Sequence, residues 1–127
     1  MAQFPPEFRR IRLELAREPG HPEGSSRTGY ELVVPLDDEQ HLSAELWRKH
    51  KDSCRVRRFR EGEGNVVGRL ARRPGGSWYL DYDQDDPDDD EAGYRLGSER
   101  FVIGEYISIA DEHGRMHTYR VVEVETV

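Results

Sequence analysis

Seven arginines are concentrated between Cys54 and Arg73, and their guanidinium groups could bind an anionic partner. Only two carboxylates, those of Glu61 and Glu63, lie in the same stretch. Guanidinium groups on a β-ribbon can follow a phosphate backbone, and they can equally bind the carboxylates of a protein. We therefore predict a basic surface formed by Arg55, Arg57, Arg58, Arg60, Arg69, Arg72 and Arg73.

The charge of the whole chain weighs against nucleic acid as the partner of this surface. The 127 residues have a net charge of -7 and a pI of about 5.2, whereas nucleic-acid-binding domains usually have a dominant basic footprint. Residues 1–73 contain 15 Lys and Arg against 12 Asp and Glu, and residues 74–127 contain 4 against 14. These opposite charges favour a protein partner with an acidic segment, or a homo-oligomer in which the acidic run of one copy meets the arginines of another.

An acidic run follows the arginines, and its first carboxylates have the spacing of a calcium loop. Asp81, Asp83 and Asp85 repeat the alternate carboxylates that begin an EF-hand. The match then fails, because Asp86 stands where the loop needs glycine and Ala92 where it needs a bidentate glutamate. We expect no cofactor, and a looser Ca²⁺ site at Asp81, Asp83 and Asp85 remains an alternative to a solvated loop or one folded onto the arginines.

A long polar loop is predicted over residues 19–29, which contain glycine and proline but no aliphatic side chain. Within it, His21, Ser25, Ser26 and Arg27 form a polar set able to hold an anion, which the loop glycines would allow the backbone to approach. This is the predicted ligand-binding site. One alternative function is a small enzyme with an anion-binding site at residues 20–29, between this loop and the mouth of a barrel. The other is a nucleic-acid binder that uses the arginine hairpin.

Cysteine and histidine supply no catalytic motif. Arg55 and Arg57 beside Cys54 could favour a thiolate, but no pattern supplies a base for it, so a small packed apolar role is favoured. His113 and His117 have a zinc-like spacing only on a helix, and a hairpin is expected there. We therefore lean against an enzyme.

Alternation of apolar and polar side chains predicts that short β-strands carry these residues. In the stretch Phe8–Arg17, for example, Ile11, Leu13 and Leu15 alternate with polar or small residues, which is the period of a half-buried strand. Similar stretches joined by glycine-rich turns give about seven strands. The predicted fold is all-β, mainly antiparallel, and either barrel-like or a sandwich.

Within the arginine hairpin, the same period divides the side chains between two faces. Val56, Arg58 and Arg60 fall on one face, and Arg57 and Phe59 fall on the other.

One short α-helix is predicted over about Ala44–Lys51. Ser43 is a suitable N-cap, and Leu42 and Trp47 have the spacing of a hydrophobic staple.

The length suits a single domain over residues 1–127, with a mobile acidic loop over residues 83–93. One cysteine excludes an intramolecular disulfide, and no apolar run approaches the length of a membrane span. The first residues lack the basic and apolar segments of a signal peptide. We expect a cytoplasmic protein without a membrane partner.

Several sequence features together resemble a group of small bacterial proteins of uncharacterised function. They run from Ala16-Arg-Glu-Pro-Gly-His-Pro22 through Arg-Val-Arg-Arg-Phe59 and Gly-Gly-Ser-Trp78 to Gly-Glu-Tyr-Ile-Ser-Ile109 and His-Thr-Tyr-Arg-Val-Val122. The resemblance covers nearly the whole chain. It implies no activity, so it assigns no role to any residue.

These observations favour a small non-enzymatic protein. We predict a protein-interaction or ligand-binding module that uses complementary arginine-rich and acidic surfaces.

Overall fold

A computed structural model describes residues 4–82, the backbone of 91–93, and residues 96–127. The described residues form eight strands and one α-helix, followed by a single 3-10 turn. The strands are β1 (Phe8–Leu15), β2 (Ser25–Pro35), β3 (Arg55–Phe59), β4 (Val66–Arg72), β5 (Trp78–Tyr82), β6 (Glu91–Gly93), β7 (Tyr106–Ala110) and β8 (Met116–Thr126). The helix α1 is Ala44–Lys49, and the 3-10 turn is Lys51–Ser53.

All eight strands belong to one antiparallel sheet, in the order β6-β5-β4-β3-β2-β1-β8-β7. The sheet curls strongly, so that its two outer strands, β6 and β7, approach each other. The predicted fold class is confirmed, and the architecture is a curled half-barrel with one short helix. One curled sheet lets a low content of apolar residues form a core, since each strand contributes only its inner side chains.

The predicted alternation decides which side chains enter the barrel. Ile11, Leu13 and Leu15 of β1 are buried, whereas the charged residues between them lie on the outer face. Aromatic contacts extend this core, since the rings of Tyr30 and Tyr119 pack edge to face with centroids 4.9 Å apart.

The helix closes one end of the barrel. The Ser43 side chain accepts a hydrogen bond from the Leu46 backbone, and both Leu42 and Trp47 are buried, as the capping pattern predicts. Trp47 Nε1 donates to the Leu70 carbonyl oxygen at 2.8 Å. The ring of Trp47 also packs against Trp78 of β5 with the ring centroids 5.4 Å apart. The helix ends at Lys49, two residues before the predicted end, because the 3-10 turn follows.

Strand β2 begins at Ser25, so the loop predicted over residues 19–29 ends at Gly24 instead. The register of β1 with β2 shifts between Glu14 and Leu15, and beyond this shift Leu15 pairs with Ser25. This pairing extends β2 into a polar segment. Ser26 and Arg27 are exposed, so this part of β2 has no burial period that the sequence could reveal.

Strand β6 falls inside the acidic loop predicted over residues 83–93, where it pairs with β5. Residues 83–90 lie outside the described residues. In the parts of the chain that are described, no helix has the length and apolar character needed to span a membrane.

Strand β4 approaches β5 closely at Gly68. A Cβ atom at this position would lie 2.6 Å from the Tyr82 Cα and would also overlap the Asp81 carbonyl group. A side chain there would have to separate the two strands. The sheet therefore requires glycine at Gly68 for space, without any need for an unusual backbone conformation.

We expect Gly68→Ala to lower the free energy of unfolding by about 2–3 kcal/mol, because the added methyl group collides with backbone that cannot move alone. Gly64→Ala is the matched control, since a Cβ there meets nothing within 4 Å. Urea unfolding measures both variants. Equal stability of the two would contradict the close approach of β4 and β5.

Candidate functional site

The pleat of β3 divides the predicted arginines between two environments. Val56 is buried, so Arg58 and Arg60 point to the inner side of the sheet, while Arg55 and Arg57 point outward. The exposed fraction of the Arg58 side chain is 13%, against 40% for Arg57. The predicted division of this hairpin into two faces is confirmed.

The inner arginines share one carboxylate, contributed by the turn between β7 and β8. The two terminal nitrogens of Arg60 donate to the two oxygens of Glu112 at 3.2 and 3.1 Å, and Arg58 lies 3.6 Å from Glu112. The guanidinium group of Arg58 also stacks on Tyr82, 4.8 Å from the ring centroid. Hydrogen bonding from Arg60 is the main reason that the pKa of Glu112 falls to about 2. These two arginines therefore hold the barrel together at the end opposite α1.

The three arginines of the β4 region have separate contacts. Arg72 stacks on Trp78 with its guanidinium carbon 5.2 Å from the ring centroid, and Arg73 stacks on Tyr79 at 4.2 Å. Arg69 forms an exposed ion pair with Asp52 at 3.2 Å. The seven predicted arginines thus do not form one continuous surface.

Two arginines of β1 join the outward pair of β3. The register places Arg10 opposite Val33, and Val33 opposite Arg55, so the three form a row across neighbouring strands. The row continues to Arg69, which is directly opposite Arg55.

A second row runs parallel to the first. It consists of Glu123, Arg12, Glu31, Arg57 and Val67. Arg12 and Arg57 both pair with Glu31, Arg12 also pairs with Glu14 at 2.9 Å, and it stacks on Phe59.

We call Arg10, Arg12, Arg55 and Arg57 the outer basic face. Sequence reasoning missed Arg10 and Arg12, although their positions between the buried residues of β1 already placed them on its polar side. What the sequence did not supply was the order of strands, which brings β1 and β3 to the two sides of β2.

The predicted anion-binding residues do not converge on one point. Ser25 Oγ accepts a hydrogen bond from the Arg27 backbone at 3.1 Å, and the Arg27 side chain pairs with Glu61 at 3.3 Å. Ser25, Ser26 and Arg27 line one groove, and His21 lines an adjoining depression that shares Arg17, Glu23 and Gly24 with it. The four residues therefore line two adjoining hollows, and the anion site stays a prediction.

The groove beside Ser25 has a volume of about 1000 Å³, and its charges balance. Three glutamates and three arginines line it: Glu14, Glu23, Glu61, Arg17, Arg27 and Arg120. Equal numbers of opposite charges give no electrostatic preference for an anion.

Cys54 is fully buried, which confirms the prediction that it packs as a small apolar residue. Its thiol lies 3.4 Å from the His50 carbonyl oxygen, to which it donates. Burial raises the pKa of Cys54 to about 12, so the thiol stays protonated at neutral pH.

The predicted calcium site cannot be assembled from the described residues. Asp81 is an exposed residue of β5, whereas Asp83 and Asp85 lie outside the described residues. Across the described part of the chain, no three His, Cys, Asp or Glu side chains are grouped so as to hold a metal ion. The expectation about Ca²⁺ stays a prediction.

His117 forms the most organised titratable cluster, which sequence reasoning did not anticipate. Its Nδ1 lies 3.0 Å from Glu18 Oε1, and its Nε2 lies 2.9 Å from Asp111 Oδ2. Burial lowers the pKa of His117, but the bonds to Glu18 and Asp111 outweigh it, so the pKa is raised. Burial raises the pKa of Asp111, but hydrogen bonds from the His117 side chain and from the backbone outweigh this effect. The pKa of Asp111 is therefore lowered.

With both ring nitrogens held by carboxylates, the imidazolium of His117 has no nitrogen left for a substrate. The cluster instead ties the segment after β1 to the β7–β8 hairpin, because Glu18 and Asp111 belong to these two parts. No signal in the sequence joins residues 99 positions apart.

Comparison with known proteins adds no family. No family model matches the chain, and no curated protein or solved structure is significantly similar to it. The resemblance to small bacterial proteins therefore stays a prediction.

We expect Glu112→Gln to lower the free energy of unfolding by about 1–2 kcal/mol, because it removes the carboxylate from two half-buried arginines while solvent screens part of the effect. Glu61→Gln is the matched control, since its ion pair with Arg27 is exposed and its loss should cost less than about 0.5 kcal/mol. Urea unfolding at pH 7 compares them, and equal losses would argue against the inner ion pairs.

We expect His117→Gln to reduce stability in a pH-dependent way. Since the folded pKa of His117 is raised above 6.5, its contribution is fully present below that value and is lost as pH rises through the folded pKa. The lowered pKa of Asp111 keeps its carboxylate ionised at about pH 6.

The difference in unfolding free energy between wild type and His117→Gln should thus be largest near pH 6 and shrink towards pH 9, within about 2 kcal/mol in all. Chemical unfolding across this range measures it. The control is His113→Gln, whose side chain is exposed. A difference that grows with pH would contradict the cluster.

Proposed function

We propose that this protein is a small non-enzymatic interaction module, and that its outer basic face binds an acidic segment of a protein partner. The observation that carries the proposal is the row Arg10–Val33–Arg55–Arg69, which places three arginines across four neighbouring strands. A carboxylate stands at each end of this row, Glu125 opposite Arg10 and Asp81 opposite Arg69. Like charges directly opposite each other in a sheet are destabilising. Asp52 offsets part of this repulsion at Arg69, and an anionic ligand would offset it further.

The balance of charge on this face supports an anionic partner. Two carboxylates, those of Glu14 and Glu31, form ion pairs with arginines of the outer basic face. Glu125 and Glu123 of β8 lie opposite Arg10 and Arg12, and both glutamates are exposed. Arg10 is exposed and has no ion-pair partner among the residues that the structure describes. Carboxylates of a partner would pair with the exposed guanidinium group of Arg10, and their attraction would speed association.

Other functions receive less support. Catalysis by Cys54 would need a thiolate, which burial of the thiol opposes. Catalysis by His117 would need an unoccupied ring nitrogen, but both nitrogens are bonded to carboxylates. The groove beside residues 25–27 has balanced charge, which weakens the case for an enzyme of anionic substrates. If the protein is a homo-oligomer, the partner is a second copy of the chain, and the acidic run of that copy would bind the outer basic face.

The proposed location is the cytoplasm. A single, fully buried free thiol suits a reducing compartment, where no disulfide is required for stability.

A fluorescein-labelled oligo-glutamate peptide tests this proposal by fluorescence anisotropy. Wild type should bind it, and the affinity should fall about tenfold or more from low to high salt as exposed charges are screened. The double variant Arg10→Glu/Arg55→Glu should abolish binding. The matched control is Arg48→Glu/Arg115→Glu, which changes net charge equally at exposed positions away from the outer basic face. Circular dichroism verifies that both variants fold.

Two results would overturn the proposal. One is equal binding by both double variants, which would place the site elsewhere. The other is tighter binding of a single-stranded oligonucleotide than of the peptide, with the same loss on Arg10→Glu/Arg55→Glu, which would favour nucleic acid.

A further inference from the structure

The outer basic face surrounds a shallow apolar depression. Val33 and Val67 form its apolar part, and Val67 is 45% exposed. The depression has a volume of about 210 Å³, and Arg10, Arg55 and Arg57 lie around it together with Glu31. Exposed apolar surface inside a charged surround is typical of sites that bind proteins.

The register places the two valines on a diagonal. Val33 belongs to the row of Arg10 and Arg55, and Val67 belongs to the row of Arg57. Each valine therefore has guanidinium groups beside it, and the aliphatic parts of these arginines can extend the apolar surface while the charged ends stay in water. A ligand that fits must combine an apolar group with carboxylates around it.

A fully acidic segment would place carboxylates over the two valines of the depression, and this contact would contribute no favourable binding energy. An aliphatic side chain placed there would bury apolar surface at about 25 cal/mol per Å². In an extended chain, side chains two residues apart point the same way and lie about 6.6–6.8 Å apart. This spacing allows one aliphatic side chain to enter the depression while carboxylates on either side reach the arginines.

We propose that the outer basic face binds an extended segment of a protein partner in which an aliphatic residue has a carboxylate two residues before it and another two residues after it. This inference rests on the proposed function and specifies the ligand of the same face. The occupant is a different protein, because no Val, Leu, Ile or Met of this chain has carboxylates two residues away on both sides. Charge complementarity with Arg10, Arg55 and Arg57 supports an acidic occupant.

Three labelled peptides of equal length and charge test the spacing. The first contains Asp-Ser-Leu-Ser-Asp, the second has Ser in place of Leu, and the third has the same composition as the first with Leu moved next to an Asp. The first should bind wild type about tenfold more tightly than the second, because a leucine side chain becomes buried. The third should bind more weakly than the first, since its Leu and its carboxylates no longer share the required face.

The variant Val67→Thr keeps the shape of the side chain and adds a hydroxyl group at an exposed position, so the fold should tolerate it. It should remove the preference for the leucine peptide and leave binding of the serine peptide unchanged. Val122→Thr, a half-buried valine on β8, is the matched control and should keep the preference.

The outcomes separate this inference from the proposed function. Equal binding of the three peptides, lost in Arg10→Glu/Arg55→Glu, would overturn the aliphatic contact and keep the acidic partner. Absence of binding to every peptide by wild type would overturn both. Sedimentation that shows a dimer disrupted by Val67→Thr would identify a second copy as the occupant and overturn the inference.

Discussion

The pleat of β3 is the constraint on which the distribution of charge in this protein depends. Successive side chains of a strand point to opposite faces, so the burial of Val56 determines the position of every arginine near it. A shift of the register by one residue would bring Arg55 and Arg57 into the barrel and expel Val56 and Arg58. The strand therefore carries two groups of arginines whose physical roles are unrelated, one inside the sheet and one outside it.

The two ends of the barrel are closed by different interactions. At the end near α1, Trp47 and Trp78 pack edge to face, and the polar atom of the Trp47 ring is satisfied by a backbone carbonyl. At the other end, half-buried charges meet in Arg60–Glu112 and in the carboxylates around His117. A charge withdrawn from water must be paired, and the pairing joins segments that are distant in the chain. This end depends on intact ion pairs and on pH, whereas the contact between the Trp47 and Trp78 rings involves no titratable group.

The outer face differs from both ends because its charges lie in rows on the outside of the sheet. Glu31 lies between Arg12 and Arg57 and serves both, while Arg55 faces Arg69 across the β3–β4 pair. The sheet fixes the backbone positions of these arginines in rows, so a ligand would have only their side chains to order. Fixed rows also explain why an alternating ligand is a natural complement, since its side chains have the same period as the strands beneath.

Sequence reasoning succeeded where the information is local. The alternation in β1 and β3, the cap at Ser43 and the packed state of Cys54 all follow from neighbouring residues, because strand and helix periods and capping depend on short-range geometry. The early start of β2 at Ser25 was missed because backbone pairing, without burial, extends it. A polar strand of this kind leaves no period in the sequence.

The sequence by itself determined that arginines would be concentrated in a β-hairpin of an all-β domain and that they would divide between two faces. Only the tertiary structure decided their partners. Arg60 meets Glu112, and Arg10 comes to the same row as Arg55, because strand order and the curl of the sheet join residues far apart in the chain. Such pairings depend on the packing of the whole sheet, which no local pattern encodes.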